Sequence, residues 1–192
     1  HKQVLFLPIH HIGRKEYYNQ VAHLTDSLED AGYTVFYEQL STNLPDLESF
    51  ERVARKYRKL TGSFSTSVQA GDTSAFRKNG LVNQPNAESL GVNLDKALLA
   101  DVTLEQLIAS FEERYGQITL DSCDLQTELD AQYQCDLLKP KLRRLFQKEF
   151  VLGMRDAHLA NLIHYSPARK IFVIYGASHY QGLKAELKKP EE

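Results

Sequence analysis

Residues Lys170–Leu183, K-I-F-V-I-Y-G-A-S-H-Y-Q-G-L, decide the fold that we predict for this chain. The apolar and aromatic run Ile171–Tyr175 is typical of a strand that is buried on both faces. Gly176 interrupts the run, and His179 follows shortly before a polar terminal helix. These features predict a strand, a tight turn and a helix, with His179 at the carboxyl end of the strand. In open α/β sheets, ligands bind at that edge.

Two segments near the amino terminus predict further strands. Val4–Ile9 is a buried run, Arg14–Ala31 has the apolar spacing of a helix, and Tyr33–Tyr37 has strand character again. A strand, a crossover helix and a second strand within this length form a βαβ unit, so the two strands should be parallel. The sequence therefore predicts an α/β fold. We expect a single domain over residues 1–192, with a mixed, mostly parallel sheet flanked by helices.

The middle of the chain predicts helices and one long irregular segment. Asp46–Leu60, Leu94–Leu99 and Thr103–Tyr115 have helical patterns, and the last of these begins with a capping box. Pro140–Ile163 has the pattern of a long helix with proline in its first turn. Residues 63–91 are rich in Ser, Thr, Asn and Gly with little periodicity, so we expect a lid or a mobile loop there.

Composition and charge argue against some kinds of partner. The chain has 192 residues and a formal net charge of −2, so it has no overall basic field for nucleic acid. No apolar run approaches the roughly 18 residues that a membrane span needs. We expect a small-molecule or peptide substrate, no nucleic-acid partner and no transmembrane segment, and the oligomeric state stays open. One basic cluster on the 46–60 pattern is expected to be a solvated helix face: Arg52, Arg55, Lys56, Arg58 and Lys59.

The two cysteines and the start of the chain bear on the cellular compartment. Cys123 and Cys135 have neither zinc-finger nor thioredoxin spacing, so we expect unpaired thiols, with a disulfide as the alternative in an exported protein. The chain starts at His1 and enters a strand at once, which fits either a removed leader or a start at this point. The compartment is left open, with a lean towards export or the cell envelope.

Polar residues follow three of the predicted strands. His11 follows the first strand, Glu38 the second and His179 the last. Since the carboxyl ends of parallel strands lie on the same edge of a sheet, we expect these side chains to converge. Two imidazoles and a carboxylate suit a divalent ion with an open position for water. They suit metal-free general-base catalysis equally well, in which a carboxylate orients a histidine that activates water.

Each candidate residue also has an ordinary structural interpretation. A histidine at a strand end is often a hydrogen-bonded loop residue, and Glu38 would serve equally as a helix cap or in a surface ion pair. Arg155 lies beside Asp156 on the late helix, where it could clamp a developing negative charge or pair with a carboxylate inside the helix packing. Ser178 resembles the nucleophile of a G-x-S-x-G elbow, although Tyr180 stands where the second glycine belongs.

Four segments in order resemble the TraB/Tiki superfamily, which is similar in outline to the erythromycin-esterase and ChaN-like proteins. They are V-L-F-L-P-I-H-H-I-G near the start, V-F-Y-E after the first crossover, G-M-R-D-A-H-L-A-N-L-I on the late helix and I-F-V-I-Y-G-A-S-H-Y-Q-G-L near the end. The hallmarks of that group are two G-x-x-H motifs, a glutamate after the second strand and an arginine on a late helix.

Three of those hallmarks are matched residue by residue. Gly176–His179 matches the second G-x-x-H motif, and Gly182 matches the glycine that usually follows it. Glu38 matches the glutamate, and Arg155 matches the helix arginine. The resemblance implies an α/β fold of the erythromycin-esterase/ChaN type and metal-dependent hydrolysis of a peptide or ester bond.

The first motif departs from the pattern, because Pro8 replaces its glycine while His11 keeps the position of the histidine. The resemblance nonetheless implies a divalent ion (zinc, manganese or cobalt, with the identity open). The implied metal ligands are His11, Glu38 and His179, and the implied catalytic residues are Glu38, Arg155 and His179. Two alternatives remain: an iron- or haem-binding protein of the ChaN type, and a catalytically inactive relative that binds a partner.

Overall fold

The computed structural model describes residues 2–64 and 80–189. Its strands are β1 (Gln3–Ile9), β2 (Ile12–Arg14), β3 (Thr34–Tyr37), β4 (Leu81–Asn83), β5 (Leu98–Leu99) and β6 (Lys170–Gly176). Its α-helices are α1 (Lys15–Asp30), α2 (Leu47–Thr61), α3 (Leu104–Tyr115), α4 (Ser122–Gln126), α5 (Pro140–Leu145), α6 (Arg155–Tyr165) and α7 (Tyr180–Glu186). A π-helical segment, Phe146–Met154, continues α5 into α6, and 3-10 helices occur at Glu88–Leu90 and Ala177–His179.

Packing divides the described residues into two compact units. A sheet unit contains residues 2–39, 80–101 and 156–189, and a helical unit contains residues 40–64 and 102–155. The single domain that the sequence predicts over residues 1–192 stays a prediction. Among the described residues, no helix is long and apolar enough to cross a membrane.

The described part of the sheet unit contains a four-stranded sheet in the order β1-β6-β3-β5, with every neighbouring pair parallel. The prediction of an α/β fold with parallel strands is confirmed. A separate ladder joins β2 to β4 in the antiparallel direction. The helix predicted at Leu94–Leu99 is wrong, because Leu98 and Leu99 pair with Phe36 and Tyr37 of β3. Strand pairing here overrides the local helical spacing.

The central position of β6 follows from its apolar run. Ile171, Val173 and Tyr175 point into one apolar cluster, and Phe172 and Ile174 point into a second cluster on the other face of the sheet. Helices α6 and α7 supply Leu159, Ile163 and Leu183 to the first cluster, while α1 supplies Tyr18 and Val21 to the second. Burying a Val, Ile or Phe side chain completely contributes about 1.5–3 kcal/mol to the stability of the fold. A strand that is apolar on both faces is therefore most stable between two layers of helices.

The helical unit has its own aromatic core. Phe111 of α3 contacts Phe146 and Phe150 of the π-helical segment, with ring centroids 5.5 and 5.6 Å apart. Helix α3 begins at a capping box: the Thr103 side chain accepts from the backbone N–H of Gln106, and the Gln106 side chain accepts from that of Thr103. This confirms the predicted start of the helix. Each reciprocal bond satisfies a backbone donor at the helix end.

The expected solvated face of α2 is wrong for its second half. Arg55, Arg58 and Lys59 are buried, and Arg58 has no exposed surface. The guanidinium of Arg58 donates to the backbone carbonyls of Asp124, in α4, and of Thr127 and Glu128, which follow it. The Lys59 side chain donates to the carboxylates of Asp121 and Asp124. Buried cations are tolerated where carbonyls and carboxylates satisfy their donors. The spacing on α2 predicts the helix but not the loop that covers it.

The expectation of unpaired thiols is also wrong. Cys123 and Cys135 form a disulfide whose Cα atoms are 5.8 Å apart. The carbonyls of Asp124 and Thr127, which lie inside the disulfide loop, accept from the buried arginines of α2. These bonds hold the loop against α2, and the spacing of the two cysteines that close it matches no recognisable motif in the sequence.

The lid or mobile loop predicted at residues 63–91 falls partly outside the described residues, because residues 65–79 are not described. The part from residue 80 onward is ordered around β4 and the 3-10 helix Glu88–Leu90. Gly91 ends that 3-10 helix with a positive φ of 80°, and an added Cβ would lie 2.9 Å from Oδ1 of Asp26 on α1. This part of the segment therefore packs against α1.

Candidate functional site

His179 lies just beyond the carboxyl end of β6, as the sequence predicts. It is the last residue of the 3-10 helix Ala177–His179, which turns the chain from β6 into α7. The residue is 2% exposed. Its ring meets that of Tyr175 edge to face, with centroids 4.8 Å apart. The imidazole is therefore held by packing on one side, and its two nitrogens face carboxylates.

Asp156 is the hydrogen-bond partner of one imidazole nitrogen. Its Oδ1 lies 2.7 Å from Nδ1 of His179, and both side chains are buried. A carboxylate accepts but does not donate, so this bond places the ring proton on Nδ1 and leaves Nε2 as the basic nitrogen. The arrangement is one that orients a histidine for proton transfer.

Glu38 lies on the other side of the ring. Its Oε1 is 3.9 Å from Nε2 of His179, which is longer than a direct hydrogen bond. Its Oε2 accepts from the backbone N–H of Gly176, and its backbone N–H donates to the carbonyl of Ile174, so the end of β6 fixes the residue at two points. The Glu38 side chain is 11% exposed and that of Asp156 is 5% exposed, so Glu38 is the more accessible of the two carboxylates beside His179.

The strand order explains why these groups meet. Strand β6 lies between β1 and β3, and Tyr37 pairs with Ile174. The residue after Tyr37 is therefore level with the last residues of β6, where the chain turns towards His179. Of the three predicted side chains, the structure thus brings Glu38 and His179 together.

His11 does not join this cluster. Its Nδ1 is 2.9 Å from Oε1 of Gln84, and its carbonyl accepts from the Gln84 backbone N–H at 2.8 Å. Among the described residues it forms no hydrogen bond to Glu38 or His179. The chain leaves the sheet direction after Ile9 and enters β2, which pairs with β4. The ladder of β2 and β4, which the sequence does not predict, carries His11 away as an exposed loop residue.

Arg155, the fourth predicted site residue, is 8% exposed and is the first residue of α6. It belongs to the helical unit, whereas the residues from 156 onward belong to the sheet unit. Its expected role with a substrate or a developing negative charge stays a prediction. Ser178 is exposed, one residue before His179.

The described donor set does not fit a three-ligand metal site. Nε2 of His179 and Oε1 of Glu38 are 3.9 Å apart, and the third expected ligand, His11, lies outside their cluster, within hydrogen-bonding distance of Gln84. Within residues 2–64 and 80–189, no group of three or more His, Cys, Asp or Glu side chains is arranged to bind a metal ion. The divalent ion with His11, Glu38 and His179 as ligands stays a prediction, and we derive no catalytic step through it.

Two tyrosines of α1 face the carboxyl end of β1. The Tyr18 hydroxyl donates to the carbonyl of His10 at 2.7 Å, and its ring lies 5.1 Å from that of Tyr17. Burial, followed by the charge of Tyr17, raises the pKa of Tyr18 to about 12. Burial also raises the pKa of Tyr17. Both phenols therefore remain neutral at physiological pH.

Asp156 is not among the site residues predicted from the sequence. A signal for it exists in the spacing of α6. Asp156 lies three, four and seven residues before Leu159, Ala160 and Ile163, which all belong to the apolar cluster on the sheet. Those intervals define one face of a helix, so the carboxylate had to point towards the sheet. An acid on an apolar stripe needs a buried partner, and His179 is that partner.

No protein-family model, curated protein or solved structure matches this chain. The resemblance to the TraB/Tiki superfamily therefore stays a prediction.

Proposed function

We propose that the chain is a hydrolase of ester or peptide bonds, in which His179 acts as the general base. The observation that carries the proposal is the 2.7 Å bond between Nδ1 of His179 and Oδ1 of Asp156, which directs Nε2 towards Glu38. A buried imidazole with one nitrogen fixed by a carboxylate is suited to accept a proton through the other nitrogen.

In the proposed reaction, Nε2 of His179 removes a proton from a water molecule as the water attacks the carbonyl carbon of the substrate, which forms a tetrahedral intermediate. The intermediate collapses with cleavage of the ester or peptide bond, and the His179 imidazolium returns the proton to the departing alcohol or amine. The 3.9 Å between Nε2 and Oε1 of Glu38 is suited to a water that is hydrogen-bonded to both atoms. Glu38 would orient that water, and Asp156 would hold the ring in place. The imidazolium that forms would lie between two carboxylates, which stabilise its positive charge.

The size of the expected effect is that of general-base catalysis. A positioned base accelerates proton transfer by about 10²–10⁴-fold, which corresponds to roughly 3–5 kcal/mol of the activation barrier. This acceleration is all that the proposed mechanism requires of His179. The choice of an ester or peptide bond rests on the resemblance to the TraB/Tiki superfamily.

The test is a panel of chromogenic esters and fluorogenic peptides, applied to protein purified without chelator. We expect the wild-type chain to hydrolyse at least one substrate and His179→Gln to lose about 10²–10⁴-fold in kcat/KM. The matched control is Ser178→Ala, at the exposed neighbouring position, which should retain wild-type activity. The same control excludes a serine nucleophile, because that mechanism would lose activity with Ser178.

Two results would contradict the proposal: no turnover by the wild-type chain on any substrate of the panel, or full activity in His179→Gln. Elemental analysis of the same sample tests the predicted divalent ion. An absorption band of haem together with no turnover would favour the iron- or haem-binding alternative of the ChaN type.

A further inference from the structure

Two glycines flank His179 at equal distances in the sequence, and each lies against one of the two carboxylates. Gly176 lies next to Glu38, and a Cβ added to it would be 3.0 Å from Oε2 of that residue. Gly182 lies next to Asp156, where an added Cβ would be 2.8 Å from Cγ and would overlap Oδ2. Each of the two glycines of the segment G-x-x-H-x-x-G is therefore in contact with a carboxylate side chain.

Backbone conformation does not explain these glycines. Neither Gly176 nor Gly182 has a positive φ, so both positions have backbone angles that residues with side chains adopt. In the interior of α7, alanine would be favoured over glycine, because alanine is the better helix former. What the two positions share is the lack of space for a methyl group. The requirement is therefore steric, and it comes from the carboxylates.

The constraint is stronger at Gly182 than at Gly176. Non-bonded carbon atoms are optimally spaced at about 3.5–4.0 Å, so a contact of 2.8 Å to Cγ of Asp156 cannot be relieved by a small adjustment. Asp156 has a short side chain, is 4% exposed and is hydrogen-bonded to His179, so moving its carboxylate away from Gly182 would break that bond. At Gly176, the 3.0 Å contact is to the end of the Glu38 side chain, which can yield by a few tenths of an ångström.

We propose that Gly182 is a positioning residue of the site: its missing side chain provides the space in which Asp156 reaches Nδ1 of His179. Gly176 does the same, less strictly, for Glu38. One carboxylate oxygen of Asp156 packs against the backbone of α7 at Gly182, and the other accepts from His179 at the start of the same helix. The consequence for turnover rests on the proposed function, whereas the steric coupling does not.

A double-mutant cycle tests the coupling. Gly182→Ala in the wild-type chain should lower the Tm on the order of 5 °C, because the methyl group displaces a buried carboxylate. In Asp156→Ala, the same substitution should leave the Tm unchanged or raise it, because the carboxylate is gone and alanine is the better helix former. Asp156→Ser provides a second background if Asp156→Ala does not fold. Gln181→Ala, at the exposed position beside Gly182, is the matched control.

Nitrogen-15 NMR of the histidine ring provides a reading that a purely structural role would not change. In the wild-type chain and in Gln181→Ala, Nδ1 of His179 should carry the proton that it donates to Asp156. In Gly182→Ala this signature should be lost, and kcat/KM should fall about tenfold or more. Gly176→Ala should keep the Nδ1 signature and show a smaller loss of Tm.

The inference is overturned if Gly182→Ala lowers the Tm equally in the wild-type and Asp156→Ala backgrounds, or if the Nδ1 signature survives in Gly182→Ala. Its failure is distinguishable from failure of the proposed function, since neither the cycle nor the spectrum requires a substrate. Coupled variants in a chain that hydrolyses nothing would support the steric role and contradict the hydrolase. A chain that hydrolyses a substrate but whose variants show no coupling would support the hydrolase and contradict the steric role.

Discussion

His179 and Asp156 are 23 residues apart in the sequence, yet Nδ1 of the first and Oδ1 of the second lie 2.7 Å apart in the interior of the sheet unit. The pair depends on two separate elements, the turn after β6 and the face of α6 that packs on the sheet. A hydrogen bond to a charged group contributes about 1.5–3 kcal/mol, so the pair bears on stability as well as on chemistry.

Replacing Asp156 by asparagine should lower both the activity and the stability of the chain. The amide of Asp156→Asn no longer fixes the proton on Nδ1 of His179, so we expect kcat/KM to fall about 10²-fold or more. The free energy of unfolding should fall by about 1.5–3 kcal/mol. Both are measured against Asp95→Asn, an exposed aspartate of the same unit. Wild-type activity in Asp156→Asn would contradict the orienting role.

Glu38→Gln should affect turnover more than stability. The glutamine carbonyl can still accept from the backbone N–H of Gly176, so the unfolding free energy should change by less than about 1 kcal/mol. Its NH₂ group would then face Nε2 of His179 and donate to the basic nitrogen. We expect a loss of kcat on substrates that the wild-type chain hydrolyses, measured together with denaturant unfolding. A stable variant with unchanged kcat would remove Glu38 from the mechanism.

Tyr18 should make the protein less stable in alkali. Its pKa in the folded chain is about 12, above the ordinary value of 10.0, because burial disfavours the phenolate. The neutral phenol of Tyr18 makes its full contribution to the free energy of unfolding below the pKa of the unfolded chain, which is about 10. That contribution is lost as the pH rises from about 10 towards the pKa of the folded chain, which is about 12. Tyr18→Phe should flatten the fall in urea midpoint over this range. Tyr165→Phe, at an exposed ring, should not; equal slopes in all three proteins would refute the assignment.

Asp124 should be the most sensitive carboxylate of the helical unit. It is fully buried, and its side chain accepts from Lys59, from Tyr133 and from the backbone N–H of Asp121. Breaking one member of a buried ion pair destabilises by about 3–5 kcal/mol, because the other charge stays buried. Glu48→Gln breaks the exposed pair with Arg52, which contributes at most about 1 kcal/mol. Similar urea midpoints for Asp124→Asn and Glu48→Gln would show that the buried pair is weak.

Reduction of the disulfide should loosen the same loop. The loop between Cys123 and Cys135 spans a sequence separation of 12, for which the chain-entropy model gives about 3 kcal/mol of stabilisation. We expect the urea midpoint to fall on reduction and in Cys135→Ser by the same amount. A variant with both cysteines replaced by serine should no longer respond to reductant. A urea midpoint that does not change on reduction would show that the hydrogen bonds from the α2 arginines to the loop carbonyls are sufficient to hold the loop.

The parts of the fold that sequence patterns predict are those with a local signature. The apolar run of β6, the spacing of α1 and the capping box at Thr103 each depend on neighbouring residues, and the structure has all three elements. Strand β5 has no such signature, since its two residues become a strand only because β3 offers an edge to pair with. The burial of Arg58 likewise depends on a distant loop that supplies its carbonyl partners.

The sheet edge at which the candidate site lies could be predicted from the sequence, but the full set of its residues could not. Parallel strands bring Glu38 and His179 to one edge, which follows from chain direction alone. His11 stands at the equivalent place after β1, but the ladder of β2 and β4 turns it away, and no local pattern marks a ladder of three residues per strand. Asp156 could have been found from its position on the apolar stripe of α6.

The place of β6 in the sheet has a consequence for synthesis on the ribosome. It follows β1, β3 and β5 in the sequence, yet its backbone hydrogen-bonds to both β1 and β3. Until it emerges, those two early strands have no common partner and their edges stay open. The growing chain must therefore keep these two strand edges unpaired from the synthesis of β3 until β6 emerges, a period in which an unpaired strand is a hazard for aggregation.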